Sequence, residues 1–148
     1  MQENHQSSTS VVFVGSFDPF HEGHHNIVTR ALKIFGKVII GVGVNPNKKY
    51  MFTAEERVEK IKKLFAEVPN VEIESYSDLT IDFAHRHKAV AIIKGVRNSE
   101  DYIYEQKQAA WNKEHGDIDT LIMITDKGLE DVSSTAIREI INNNDQNL

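Results

Sequence analysis

The sequence predicts the α/β class: one domain built on a five-stranded parallel sheet with helices on both faces. Three observations predict it. Short runs of β-branched and apolar residues alternate along the chain with amphipathic stretches of helical period. Most of these runs are apolar on both faces rather than alternating, as strands covered on both sides are. The length, 148 residues, suits a single core.

Taken in order, residues 1–10, "MQENHQSSTS", are polar and read as a flexible tail before a domain of residues 11–148. "VVFVG" (11–15) is the first strand. Ile27, Ala31, Ile34 and Phe35 then line one face of a helix that Gly36 ends as a C-terminal cap. "KVIIGVGV" (37–44) is the second strand. Thr53 opens the next helix, with Glu56 completing a capping box. Val58, Ile61, Leu64, Phe65 and Val68 form its apolar stripe. "VEIESY" (71–76) is the third strand, and a helix starts at Asp78. "AVAII" (89–93) is the fourth, followed by a helix from Ser99 to Glu114. "TLIMIT" (120–125) is the fifth, and a last helix starts at Ser133–Thr135 and frays into "NNNDQNL". Strict alternation of strand and helix implies crossover connections and a parallel, Rossmann-like sheet. Ligands of such sheets bind beyond the carboxyl ends of the strands. Function is therefore expected at residues 15–25, 44–52, 76–80, 94–105 and 125–135.

Composition narrows the function classes. There is no cysteine, which excludes disulfides, thiolate metal sites and cysteine nucleophiles. A net charge of −5 argues against a nucleic-acid partner. The N-terminus lacks the apolar core of a signal peptide. No apolar run approaches the roughly 20 residues that span a bilayer. The expectation is a cytoplasmic protein that binds neither nucleic acid nor membrane.

The first strand runs into a segment with several readings. His21, Glu22 and His25 spell H-E-x-x-H, a zinc-hydrolase pattern with Glu22 as general base. Gly23 between the ligands, the short distance from the strand and the lack of an evident third ligand count against it. Alternatively, Gly15 and Ser16 form a small turn that admits phosphate, and His24 points from the first helical turn towards it. An ordinary loop with solvated histidines is the third reading.

"GSFDPFHEGHHNIVTRA" (15–31) resembles the nucleotidylyltransferase signature, T/S-F-D-P followed by H-x-G-H. "NPNKKYMFTAEERVEKI" (45–61), "SDLTIDFA" (77–84), "IIKGVRNSEDYIYE" (92–105) and "VSSTAIRE" (132–139) resemble phosphopantetheine adenylyltransferases, in order and over most of residues 11–140. The resemblance implies transfer of AMP from ATP to 4′-phosphopantetheine, giving dephospho-coenzyme A and pyrophosphate, with magnesium. It also implies a homohexamer and coenzyme A as a feedback ligand. An adenylyltransferase using another phosphorylated acceptor, such as nicotinate mononucleotide, is the alternative.

In such a reaction the attacking phosphate is already ionised, so no protein base is required. Catalysis must come from positioning and from neutralising charge at the α-phosphate. By resemblance, His24 is the transition-state stabiliser, Ser16 orients the acceptor phosphate and Lys48 holds it, with Lys49 peripheral. Leu79 and Thr80 line the pantetheine arm, and Lys94, also a substrate-binding residue, stands where the family usually carries arginine. ATP falls to Ser16, Phe17, His24, Gly95, Val96, Arg97 and Glu105, and to Leu129, Glu130, Asp131, Val132, Ser133, Ser134 and Thr135. Hydroxyls at a helix start are commonly N-caps; three together at an N-terminus also suit the β- and γ-phosphates. Magnesium is expected on phosphate oxygens and water, with no protein ligand.

Overall fold

A computed structural model of the chain describes residues 8–146. The tail expected over residues 1–10 lies largely outside that range, and Ser10 already belongs to the first strand. Strands β1 (Ser10–Gly15), β2 (Lys37–Gly43), β3 (Val71–Tyr76), β4 (Ala91–Val96) and β5 (Asp119–Ile124) alternate with helices α1 (Glu22–Ala31), α2 (Ala54–Leu64), α3 (Thr80–Arg86), α4 (Ser99–Gly116) and α5 (Ser134–Gln146). All strand pairs are parallel, in the order β3-β2-β1-β4-β5. The expected class therefore holds.

The pleat of β1 sorts the core into two layers. Val11 and Phe13 face Ile27, Val28 and Ala31 of α1 and Ile61 of α2. Val12 and Val14 face the other way, onto Ile81, Phe83 and Ala84 of α3. Covering the sheet on both sides accounts for the uninterrupted apolar runs. Chain order reverses at β1, which pairs with β2 on one side and β4 on the other. This is the switch point at which open α/β sheets leave a crevice.

Several boundaries differ from the sequence reading. Helix α1 ends at Ala31, not at Gly36. Lys33 and Ile34 bond carbonyls three residues back, and the N–H groups of Gly36 and Lys37 turn to Thr9. That tightening rotates Ile34 into solvent while Phe35 stays against the core. Leu64 likewise closes α2 and is exposed. Helix α3 starts at Thr80, because the Asp78 carboxylate accepts from Arg86 at 2.7 Å instead of capping the helix. Strand β4 extends to Val96, since Lys94, Gly95 and Val96 continue the ladder with β5. The α4 helix runs on to Gly116, and α5 remains helical to Gln146 where fraying was expected.

Candidate active site

Two adjoining cavities of about 270 and 440 Å³ open at the carboxyl ends of β1, β2 and β4. Together they fall in the size range of small-molecule sites. Val14, Gly15, Lys94 and Glu105 border both. The first cavity reaches from His24 to the start of α5, and the second from Ser16 and Lys48 to Tyr76 and Thr80.

His24 lies in the first turn of α1. Its Nδ1 accepts from the backbone N–H of His21 at 3.1 Å. A ring nitrogen that accepts carries no proton, so the neutral imidazole holds its proton on Nε2. The ring packs edge-on to Phe17 at 4.9 Å, near Phe20 at 5.1 Å, and stacks on His21 at 3.6 Å between centroids. Burial holds its pKa well below the usual histidine value, with His21, Lys94 and Arg97 adding to the effect. His24 is thus a neutral, fixed donor among cations.

His21 caps the same helix, accepting from Gly23 N–H through Nδ1 at 3.1 Å. Burial and then Arg97 lower its pKa to about 4. A Cβ on Gly23 would lie 2.9 Å from His21 Cε1, so a side chain there would dislodge the cap and the ring stacked on His24. His25 points elsewhere, stacking on Phe65 at 5.1 Å. His21 and His25 therefore do not converge, and no group of three or more His, Cys, Asp or Glu suited to a metal occurs among the described residues.

Across the crevice the Lys48 ammonium donates to Ser16 Oγ at 3.2 Å. Beneath them the first turn is tied down from several sides. The Asp18 carboxylate accepts from Met51 and Phe52 N–H at 2.8 and 2.9 Å. Arg138 donates to the Asp18 carbonyl at 2.8 Å, and Ser134 Oγ donates to that of Pro19 at 2.7 Å. Buried Arg57 donates to the Ser16 carbonyl at 2.8 Å and the Gly43 carbonyl at 3.0 Å. Phe17, between these ties, is buried at φ 51°. Few non-glycine residues adopt such a backbone unless their surroundings impose it.

Residues 12–140 match the cytidylyltransferase-like family. A phosphopantetheine adenylyltransferase of Phocaeicola vulgatus is 44% identical over 130 residues, 88% of this chain and 86% of that one. That of Bacteroides fragilis is 41% identical over 133 residues, 90% of this chain and 89% of its own. The chain belongs to the phosphopantetheine adenylyltransferases. Among solved structures, a bifunctional NMN adenylyltransferase/ADP ribose pyrophosphatase from Francisella tularensis superposes with a TM-score of 0.67 at 22% identity, over 93% of this chain and 43% of that one. A lipopolysaccharide core biosynthesis protein from Thermoplasma volcanium superposes with a TM-score of 0.58 at 20% identity, over 80% and 97%. At such identities the superpositions speak for the fold alone.

Most residues singled out in the sequence meet at the two cavities. Phe17, His24, Gly95, Arg97, Leu129, Val132, Ser133, Ser134 and Thr135 line the first, and Ser16, Lys48 and Thr80 the second. Leu79 is 53% exposed and stands outside the lining, because it precedes α3 and Thr80 turns inward to Tyr76. Val96 lines a separate apolar recess with Tyr102, Ile103 and Ile124. Glu130 accepts from Gly128 N–H, and neither it nor Asp131 lines either of the two cavities. The three hydroxyls divide their work: Ser133 accepts from Ala136 N–H, Ser134 holds Pro19, and Thr135 accepts from Arg138. Lys94 pairs with Glu105 at 3.1 Å, and Arg97 with Asp101.

The sequence reading passed over His21 as an orienting group and missed Asp18, Arg57 and Arg138. One signal for Arg57 was present: it stands one turn before Ile61 on the buried stripe of α2, where a cation has no place in an ordinary amphipathic helix.

Proposed function

We propose that the chain transfers AMP from ATP to the phosphate of 4′-phosphopantetheine. An acceptor phosphate oxygen forms the new bond to the α-phosphorus. The bond from that phosphorus to the bridging oxygen breaks, and pyrophosphate leaves with the electron pair as dephospho-coenzyme A forms. The carrying observation is the fixed Nε2 donor of His24 in the first cavity, beside the Lys48–Ser16 pair in the second. In this reading Lys48 and Ser16 hold the acceptor phosphate for in-line approach, and Thr80 and Tyr76 flank the arm behind it. His24 donates to the α-phosphate and its hydrogen bond strengthens as charge builds there. The start of α5, with Arg97 and Lys94, takes the β- and γ-phosphates, and Glu105 sets the Lys94 ammonium between the two cavities.

The donor set suits magnesium carried by the nucleotide. The carboxylates at the cavity walls, Glu105 and Asp78, are each paired with a cation, leaving hydroxyls and cations to face the substrates. When bound on phosphate oxygens, the ion neutralises polyphosphate charge. The same reading includes a cytoplasmic location, a homohexamer and coenzyme A as a feedback ligand. Exposed Tyr102, Ile103 and Ile124 support self-association. The test is pyrophosphate release from ATP over a panel of acceptors. Turnover with 4′-phosphopantetheine is expected; turnover with nicotinate mononucleotide alone would replace the acceptor, and stoichiometric zinc in the purified protein would revive the hydrolase reading.

A further inference from the structure

Arg57 is the most deeply buried charged side chain among the described residues, 2% exposed. It enters from the first turn of α2 and spends its donors on three backbone carbonyls. Nη1 reaches those of Ser16 and Gly43, at 2.8 and 3.0 Å, and Nε reaches that of Phe52 at 3.1 Å. Its Cζ lies 4.0 Å from the centroid of the Tyr50 ring, and the Lys48 ammonium lies 5.4 Å from the same centroid. The Tyr50 hydroxyl in turn accepts from Asn45 N–H at 2.9 Å. One guanidinium therefore fastens the end of β1, the end of β2 and the 45–52 loop. Ser16 follows the first of these, Lys48 lies in the last, and β2 leads into that loop.

Among the described residues no carboxylate lies within ion-pair distance of Arg57. The nearby Asp18 carboxylate bonds instead to the N–H groups of Met51 and Phe52. A cation buried against carbonyl dipoles and one aromatic ring is costly, and an anion arriving above it relieves part of that cost. A neutral side chain would have been the cheaper way to fill the space.

We propose that Arg57 is a positioning residue for the acceptor phosphate. It holds Ser16 and Lys48 in register, and it leaves a positive charge beneath them that a bound phosphate monoester offsets. Arg57 lines neither cavity, so it acts through Ser16, Lys48 and its field, not by contact. The inference rests on the reading that these two residues receive the acceptor phosphate.

The test uses full-length wild type, Arg57→Met, Arg57→Lys, Lys48→Met and the Arg57→Met/Lys48→Met pair. The acceptor panel is run first on wild type, and whichever phosphorylated acceptor supports turnover is used thereafter. Arg57→Met should raise the acceptor KM by about 10- to 100-fold, the scale of losing hydrogen bonds from a charged group, with the ATP KM within about threefold. Arg57→Lys, keeping the charge without the fork, should recover part of the loss. In the Lys48→Met background the Arg57→Met effect should largely vanish, since both act on one site. Where Arg57→Met does not fold, Arg57→Lys carries the test, with an acceptor-selective rise of about three- to tenfold. Equal rises in both KM values, additive double-mutant effects, or no turnover with any phosphorylated acceptor would each overturn the proposal. Turnover with an acceptor other than 4′-phosphopantetheine would fell the functional reading and leave Arg57 to be judged on its own kinetics.

Discussion

Replacing His24 separates chemistry from packing. The ring fills a pocket among Phe13, Phe17, Phe20 and His21, so His24→Ala removes both a donor and a buried aromatic-sized group. The lost donor should lower kcat by about two to three orders of magnitude, the scale of deleting one transition-state hydrogen bond, or about 2.7–4 kcal/mol. The cavity should lower stability by about 2–4 kcal/mol, or roughly 5–15 °C in Tm for a chain of this size. His24→Phe refills the pocket but cannot donate. It should match the alanine variant in kcat while recovering most of the Tm, short of wild type because His21 N–H loses its acceptor on Nδ1. The assay is single-turnover pyrophosphate release at 20 °C with saturating substrates, beside thermal melts of all three proteins. A phenylalanine variant within tenfold of wild type would refute the donor role. An alanine variant with unchanged Tm would refute the packing account.

Four further outcomes follow from the same geometry. His21→Ala removes an N-cap worth about 1 kcal/mol and frees the His24 ring to turn, so kcat should fall by about tenfold, well short of the His24 variants; a larger loss than His24→Phe would contradict it. Because both His21 and His24 have depressed folded pKa values, the unfolded chain takes up protons below pH 6.5 that the folded chain refuses. Stability should therefore be greatest above pH 6.5 and fall as pH drops towards 4, with His21 contributing about 1 kcal/mol after allowance for solvent screening. Melts of wild type and His21→Asn should show a shallower fall in the variant. Asp18→Asn sets an amide NH₂ against a backbone N–H and should cost about 1–3 kcal/mol in denaturant midpoint while raising the acceptor KM through a looser 45–52 loop. Lys94→Met strands the Glu105 carboxylate and should lower Tm, whereas Lys94→Arg should keep it and stay within about threefold of wild-type turnover.

The fold was legible because its signals are local and repeated. Apolar runs, the Thr53–Glu56 capping box and strict alternation each report on neighbouring residues, and together they leave one sheet type. Boundaries failed where tertiary bonds overrode local grammar. Thr9 captures the N–H groups of Gly36 and Lys37, Arg86 takes the Asp78 cap, and the β5 ladder extends β4 through Lys94 to Val96. Thr9 and β5 lie far off in sequence from the groups they bond, and Arg86 stands at the opposite end of the helix that Asp78 would have opened.

The site divides along the same line. Glycines, hydroxyls and cations at strand ends could be read directly, because phosphate chemistry needs those groups at the places where parallel strands stop. What could not be read is how the groups are held. Asp18 acts through backbone N–H groups 33 and 34 residues away, Arg57 through a carbonyl 41 residues back, and Arg138 through one 120 residues back. Backbone partners leave no mark of residue type, so a sequence records the donor and hides its target. His21 is the instructive intermediate. Its spacing from His25 suggested shared ligation, but it stands before the helix, not within it, and its ring turns to His24. Whether two histidines four apart share a face is decided by where the helix begins, and the capping bond to Gly23 begins it one residue too late for zinc.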